Sequence, residues 1–136
     1  MAEFVLKQKV AERGLSERFE IASAATSREE IGNPVYPPAR RMLAEHGIAC
    51  DGKTARQMTR ADYAHYDYII AMDRNNLRNL QRLLGPDTDG KISLLMDYTG
   101  TPRDVADPWY TGDFQATWED VQRGCDGLLR ELLGDA

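Results

Sequence analysis

The sequence predicts one α/β domain over residues 1–136, built on a parallel sheet with helices on both faces. Three observations predict it. Short apolar runs at 19–25, 67–72 and 91–96 alternate with longer segments whose apolar residues recur at helical spacing. Tyr68-Ile69-Ile70-Ala71-Met72 is apolar without interruption, as a strand covered on both faces requires. Helix start and stop signals then separate the segments, with Thr59 and Asp62, Asp73, Gly47 and Gly85-Pro86 in the expected places.

The elements follow in order. Residues 1–13 read as an amphipathic helix with Ala2, Leu6 and Val10 on one face and Gly14 to end it. This helix has no capping residue and no lead-in, so the chain opens inside an apolar stripe and an upstream piece is expected. Phe19 to Ala25 alternates and then turns small, which suits a strand packed closely on another backbone. The stretch from Thr26 to Pro37 is rich in turn residues, and Pro38 opens a helix with Ala39, Met42, Leu43 and His46 on its inner face. His46 falls in the last turn, where a partial positive charge suits the helix dipole. Thr59 with Asp62 forms a capping box for a short helix ending near Tyr66. After the strand at 67–72, Asp73 caps a helix striped by Leu77, Leu80 and Leu84, and Lys91 to Met96 forms a further buried strand. Thr117 with Asp120 caps the last helix, whose inner side carries Trp118, Val121, Cys125, Leu128, Leu129 and Leu132.

Composition narrows the function. The charged fraction of 29% and apolar fraction of 42% are those of a soluble globular domain, and the net charge of -5 argues against nucleic acid or an anionic membrane as the main partner. No run reaches the length of a membrane span, and charges interrupt the N-terminus, so a cytoplasmic location is expected. Two irregularly placed cysteines indicate reduced thiols, and the two histidines, His46 and His65, lack ligand spacing. No metal and no cofactor is expected.

In a parallel α/β sheet the ligand sits beyond the carboxyl ends of the strands, which here places Ser23 to Gly32, Met72-Asp73 and Asp97 to Tyr110 on one rim. Within that rim, Ala106-Asp107-Pro108-Trp109-Tyr110 is the chemical centre. Pro108 holds Asp107 extended and away from any helix, and the two rings can wall a cleft that raises its pKa, as a proton donor to a leaving oxygen needs. Cys50 and Arg56 have the five-residue separation of cysteine phosphatases, but Cys50 follows a helix stop and Gln57 stands where a hydroxyl residue would support a thiolate. The spacing is therefore read as coincidence. Cys50, on a loop, is expected to be the more accessible thiol and Cys125 the buried one.

With these segments in order, the chain resembles the low molecular weight protein tyrosine phosphatases over nearly its whole length. The resemblance rests on Ser23-Ala24-Ala25-Thr26-Ser27, Glu30-Ile31-Gly32-Asn33-Pro34, Ala55-Arg56-Gln57-Met58-Thr59, Tyr68-Ile69-Ile70-Ala71-Met72-Asp73 with Asn76-Leu77, and Asp107-Pro108-Trp109-Tyr110. It implies a flavodoxin-like fold, a four-stranded parallel sheet flanked by helices. It also implies a two-step reaction in which a thiolate attacks phosphotyrosine and an aspartate, here Asp107, protonates the phenolate and then activates water. Ser23 matches a residue that supports the phosphate loop. Glu30, Trp109 and Tyr110 match substrate-sorting walls, with a phosphotyrosine protein or aryl phosphate as the partner.

The departure from the family pattern is that its first strand and phosphate loop, with nucleophilic Cys and phosphate-binding Arg, precede a helix reading like Met1 to Leu6 and do not occur in these residues. In the family's strand order the first strand lies between 19–25 and 67–72, so these two are expected to be unpaired with each other. The chain as it stands is expected to be inactive. Two further classes are a non-catalytic remnant that binds or dimerises through its open sheet, and an arsenate reductase of the same fold, which two aromatics beside Asp-Pro fit less well than a flat phenyl ester.

Overall fold

The computed structural model describes residues 1–26, 32–50, 52–106 and 113–134. Helix α1 spans Ala2–Glu12, α2 Pro37–Glu45, α3 Arg60–His65, α4 Arg74–Leu84 and α5 Phe114–Leu133. Strand β1 spans Ile69–Ala71 and β2 spans Ile92–Leu94. They pair in parallel with Ile69 opposite Ile92 and Ala71 opposite Leu94. Period-two alternation sends the two sides of β1 into different cores. Ile69 and Ala71 join Met58, Leu80 and Leu94 beneath α3 and α4, while Ile70 and Met72 lean on the larger cluster of Val5, Leu43, Leu95, Met96, Val121 and Cys125. The sheet therefore carries helices on both faces, as the unbroken apolar run predicted.

Several helix signals act as the sequence implies. Thr59 and Asp62 form the capping box of α3, and Asp73 accepts the Asn76 N–H at 2.7 Å to cap α4. Gly85, at φ 76°, ends α4 in a backbone region that other residues enter only with strain. As expected, α1 begins without a side-chain cap.

Four expectations change. The stretch 19–25 is not a strand; among the described residues it makes one isolated bridge, Ala25 to Gln57, and 20–24 has no ladder partner. A strand is defined by its neighbours, and among the described residues no backbone–backbone hydrogen bond reaches 20–24. No ladder joins 19–25 to β1, in agreement with the unpaired arrangement expected for them. The predicted strand at 91–96 stops at Leu94, because Asp97 accepts the Leu94 N–H at 3.0 Å and winds Leu95–Thr99 into a 3₁₀ helix. The buried line of α1 is Glu3, Val5 and Val10, with Ala2 and Leu6 only half-buried, because the Glu3 carboxylate is drawn inward by partners on other segments. Helix α5 starts at Phe114 with Asp113 as its cap, so Thr117 and Asp120 lie within the helix and serve another purpose.

The 3₁₀ segment lies directly on α5, and two glycines allow this approach. A Cβ built on Gly127 falls 1.9 Å from the Tyr98 carbonyl oxygen, and one on Gly124 falls 2.4 Å from the Leu95 side chain. Backbone cannot yield as a flexible side chain can. Gly127→Ala is expected to lower stability by about 1–3 kcal/mol despite alanine's better helix propensity. Urea unfolding measures this, and a midpoint equal to or above wild type would show that the helix is not held this close.

Candidate functional site

The carboxyl end of β1 is stitched to the segment that leads into Asp107. The Met72 carbonyl accepts the Val105 N–H at 2.9 Å, and Asp104 accepts the Arg74 N–H at 3.0 Å at the first turn of α4. Asn76 closes the same corner by accepting the Met72 N–H at 3.1 Å.

Ala106, the residue before Asp107, is held on both sides of its peptide group. Its N–H donates to Asp120 Oδ2 at 2.9 Å, and its carbonyl accepts the Thr117 hydroxyl at 2.7 Å. Asp120 is 5% exposed and is forked by Arg103 at 2.8 and 2.6 Å. The Arg103 guanidinium holds the Asp120 carboxyl below the usual range, outweighing the opposing effect of burial. One carboxylate on α5 thus fixes the segment from Arg103 to Ala106 that leads into Asp107. The sequence pattern Thr117-x-x-Asp120 resembles a capping box, and nothing in the chain's local spacing pairs Arg103 with a residue 17 positions on.

Ser23 stands at the first turn of α1, where its hydroxyl donates to Glu3 Oε1 at 2.6 Å. Glu3 is 7% exposed and also receives Lys7 at 2.6 Å and Lys53 at 2.8 Å. Burial alone would raise its pKa, but the hydrogen bonds from Lys53, Lys7 and Ser23 prevail and take it down to about 2. Glu3 and Lys7 stand at the i, i+4 spacing of a helical pair, whereas the Lys53 and Ser23 partners are tertiary. Asp107, Trp109, Tyr110 and Glu30 lie outside the described residues.

Cys50 and Arg56 form no anion cradle. Arg56 forks Asp62 at 2.8 and 3.1 Å, so its guanidinium is committed to the cap of α3. Cys50 is 6% exposed, more than Cys125 as expected, but it is itself buried rather than open on a loop. The segment after α2 runs with alternating burial, turning Ile48 and Cys50 inward and Gly47 and Ala49 outward. Cys125 is 1% exposed, and burial pushes its thiol up to about 12. Among the described residues no group of acidic, histidine and cysteine side chains could hold a metal, and no helix is long and apolar enough to cross a membrane.

The fold and rim define a parallel α/β domain whose strand-end loops are braced by its last helix. The family model described as low molecular weight phosphotyrosine protein phosphatase matches residues 1–136. The chain is 35% identical over 134 residues to the low molecular weight protein-tyrosine-phosphatase YfkJ of Bacillus subtilis, covering 97% of this chain and 86% of that one. It is 32% identical over 137 residues to PtpA of Staphylococcus saprophyticus, with 100% and 86% coverage. The crystal structure of YfkJ superposes with a TM-score of 0.93 at 34% identity over 98% of this chain and 86% of that one. The low molecular weight protein tyrosine phosphatase of Streptococcus pyogenes gives 0.85 at 39%, over 96% and 82%. This chain belongs to the low molecular weight phosphotyrosine protein phosphatase family.

The Glu3 network has a pH signature. Its folded-state pKa is depressed from 4.5 to about 2, so its stabilisation is complete above the unfolded value and is lost as pH falls through that window. Glu3→Gln is expected to be less stable than wild type at pH 7, with the gap narrowing toward pH 2. Thermal melts across that range check this, and a gap that is constant with pH would contradict it.

Proposed function

We propose that this chain carries the general-acid half of a phosphotyrosine phosphatase site, with Asp107 as proton donor to the leaving phenolate and later as base toward water. The observation that carries the reading is the double anchorage of Ala106 by Asp120 and Thr117, which fixes the residue before the acid. Preorganisation of this kind is what a general acid needs, since proton transfer demands hydrogen-bond reach to the departing oxygen. By family resemblance, Trp109, Tyr110 and Glu30 are assigned to substrate recognition and Ser23 to support of the phosphate loop. The reading places the protein in the cytoplasm, consistent with its two free thiols.

The 136 residues on their own are proposed to be catalytically silent. The attacking group must be a thiolate, and neither cysteine is suited to attack. Burial keeps the Cys125 thiol protonated, and Cys50 is packed among Val5, Leu43 and Trp118. An intact acid cannot replace a missing nucleophile, because protonating a leaving group helps only once attack has occurred.

The free edge of β1 supports a second reading. Among the described residues β1 has a ladder partner only in β2, so its other edge could pair with another strand and make the chain a binding or dimerising module. A concentration-dependent dimer in sedimentation, without phosphatase activity in any extended form, would favour that reading.

The test is hydrolysis of p-nitrophenyl phosphate by three proteins: the 136-residue chain, a version extended upstream by an apolar strand and a Cys-x5-Arg-Ser loop, and that version with Asp107→Asn. The short chain is expected to be inactive and the extended chain active, with Asp107→Asn lowering turnover about 10²–10⁴-fold. Turnover by the short chain that vanishes with Cys50→Ser would refute the nucleophile assignment. An unchanged rate for Asp107→Asn would refute the acid.

A further inference from the structure

We infer that the exposed face of α4 bearing Arg74, Arg78 and Arg82 is a docking track for an extended acidic segment flanking the phosphotyrosine of a protein substrate. The inference deepens the phosphatase reading and rests on it for the nature of the partner. Helix α4 contains three arginines and no acidic residue, in a chain whose net charge is -5. The three occur at i, i+4 and i+8, share one side of the helix, and are all exposed. Among the described residues no carboxylate pairs with any of them: Arg78 donates only to Asn75 at 3.3 Å, whereas Arg56 and Arg103 are each forked by an aspartate. Two acids at the first turn are turned to backbone, Asp73 to Asn76 N–H and Asp104 to Arg74 N–H.

Helix stability does not account for this pattern. A cation at the last turn, such as Arg82, complements the helix dipole, but Arg74 is the first residue of α4, where the dipole opposes it. A guanidinium placed there with no carboxylate paired to it among the described residues is explained by an external partner. The stripe also has a direction. It begins at the strand-end rim, beside the Asp104 stem of the acid loop, and ends at a shallow open cleft of about 290 Å³ lined by Thr26, Asn79, Arg82 and Leu83. Asn79 ties that cleft to the other rim segment by donating to Thr26 at 3.2 Å.

Spacing selects an extended peptide. Eight helical residues rise about 12 Å, so the arginines stand about 6 Å apart along the axis. In an extended chain, side chains on one side recur every two residues, about 6.6 Å, so three alternate acids span about 13 Å. Nucleic acid is disfavoured, because the chain's overall negative charge repels a long polyanion while leaving a short acidic strand able to reach one stripe.

The test measures fluorescence anisotropy of a labelled, unphosphorylated peptide with glutamate at alternate positions, against the same peptide with glutamine. The glutamate peptide is expected to bind, weakening as salt rises because exposed charges are screened beyond about 8 Å at physiological ionic strength. Arg74→Glu with Arg78→Glu and Arg82→Glu is expected to weaken it at least about tenfold. A control reversing the exposed Arg18, Arg41 and Arg60, equal in net charge, is expected to change it less than about threefold. Circular dichroism confirms that both variants fold. Equal binding of the two peptides, equal loss in both variants, or tighter binding of a thymidine oligonucleotide to the stripe would each overturn the inference. Since p-nitrophenyl phosphate has no acidic flank, its hydrolysis tests the phosphatase reading separately.

Discussion

Asp120 is the interaction on which the rim depends. A carboxylate buried in the first third of α5 takes both nitrogens of Arg103 and the N–H of Ala106, while Thr117, one turn earlier, takes the Ala106 carbonyl. A buried charge is costly unless every lone pair finds a donor, and here the donors come from the loop that must be positioned. Burial and loop geometry are therefore one requirement. Loss of the loop's conformation would strand a charge in the core, so the helix and the loop stem hold each other in place. The same loop is fixed from the other side by Val105 on Met72 and Asp104 on Arg74, which connects the acid's approach to the end of β1.

The Glu3 network does comparable work at the opposite side of the larger core. It joins α1 to Ser23 and Lys53, two segments with no regular secondary structure of their own, through a carboxylate that stays ionised because three donors outweigh its burial. In both places a chain segment lacking a ladder is located by a side-chain charge. This suits a fold in which only β1 and β2 form a ladder among the described residues.

Where structure is set by neighbours in sequence, it was legible. The α3 capping box, the Asp73 cap, the apolar run of β1 and the stripe of Trp118, Val121, Cys125, Leu128 and Leu129 all follow from residues within a few positions of one another. The misreadings occurred where a distant partner decides. Phe19 to Ala25 has the alternation of a strand, but among the described residues no ladder partner makes it one. Thr117 and Asp120 have the same spacing as Thr59 and Asp62, and only the arrival of Arg103 and Ala106 distinguishes an anchor from a cap. Cys50, outside a helix, is the more exposed thiol as expected, but its segment alternates and it falls on the inward side, so it too is buried. Of the candidate site, Asp107, Trp109 and Tyr110 were singled out by local chemistry and family resemblance and Glu30 by resemblance alone, whereas Arg103, Thr117 and Asp120, which hold Ala106, carry no local signature of that role.

The central claim, that a buried carboxylate fixes Ala106, the residue before Asp107, is tested most directly by hydrogen exchange at the Ala106 amide. That N–H donates to Asp120, so this hydrogen bond must open before it exchanges. Strong protection of the Ala106 amide is predicted in the wild type, comparable to neighbouring core amides, with a selective loss of that protection in Asp120→Ala while the middle of α4 keeps its own. Exchange of the wild-type Ala106 amide at the rate of an unstructured peptide would contradict it.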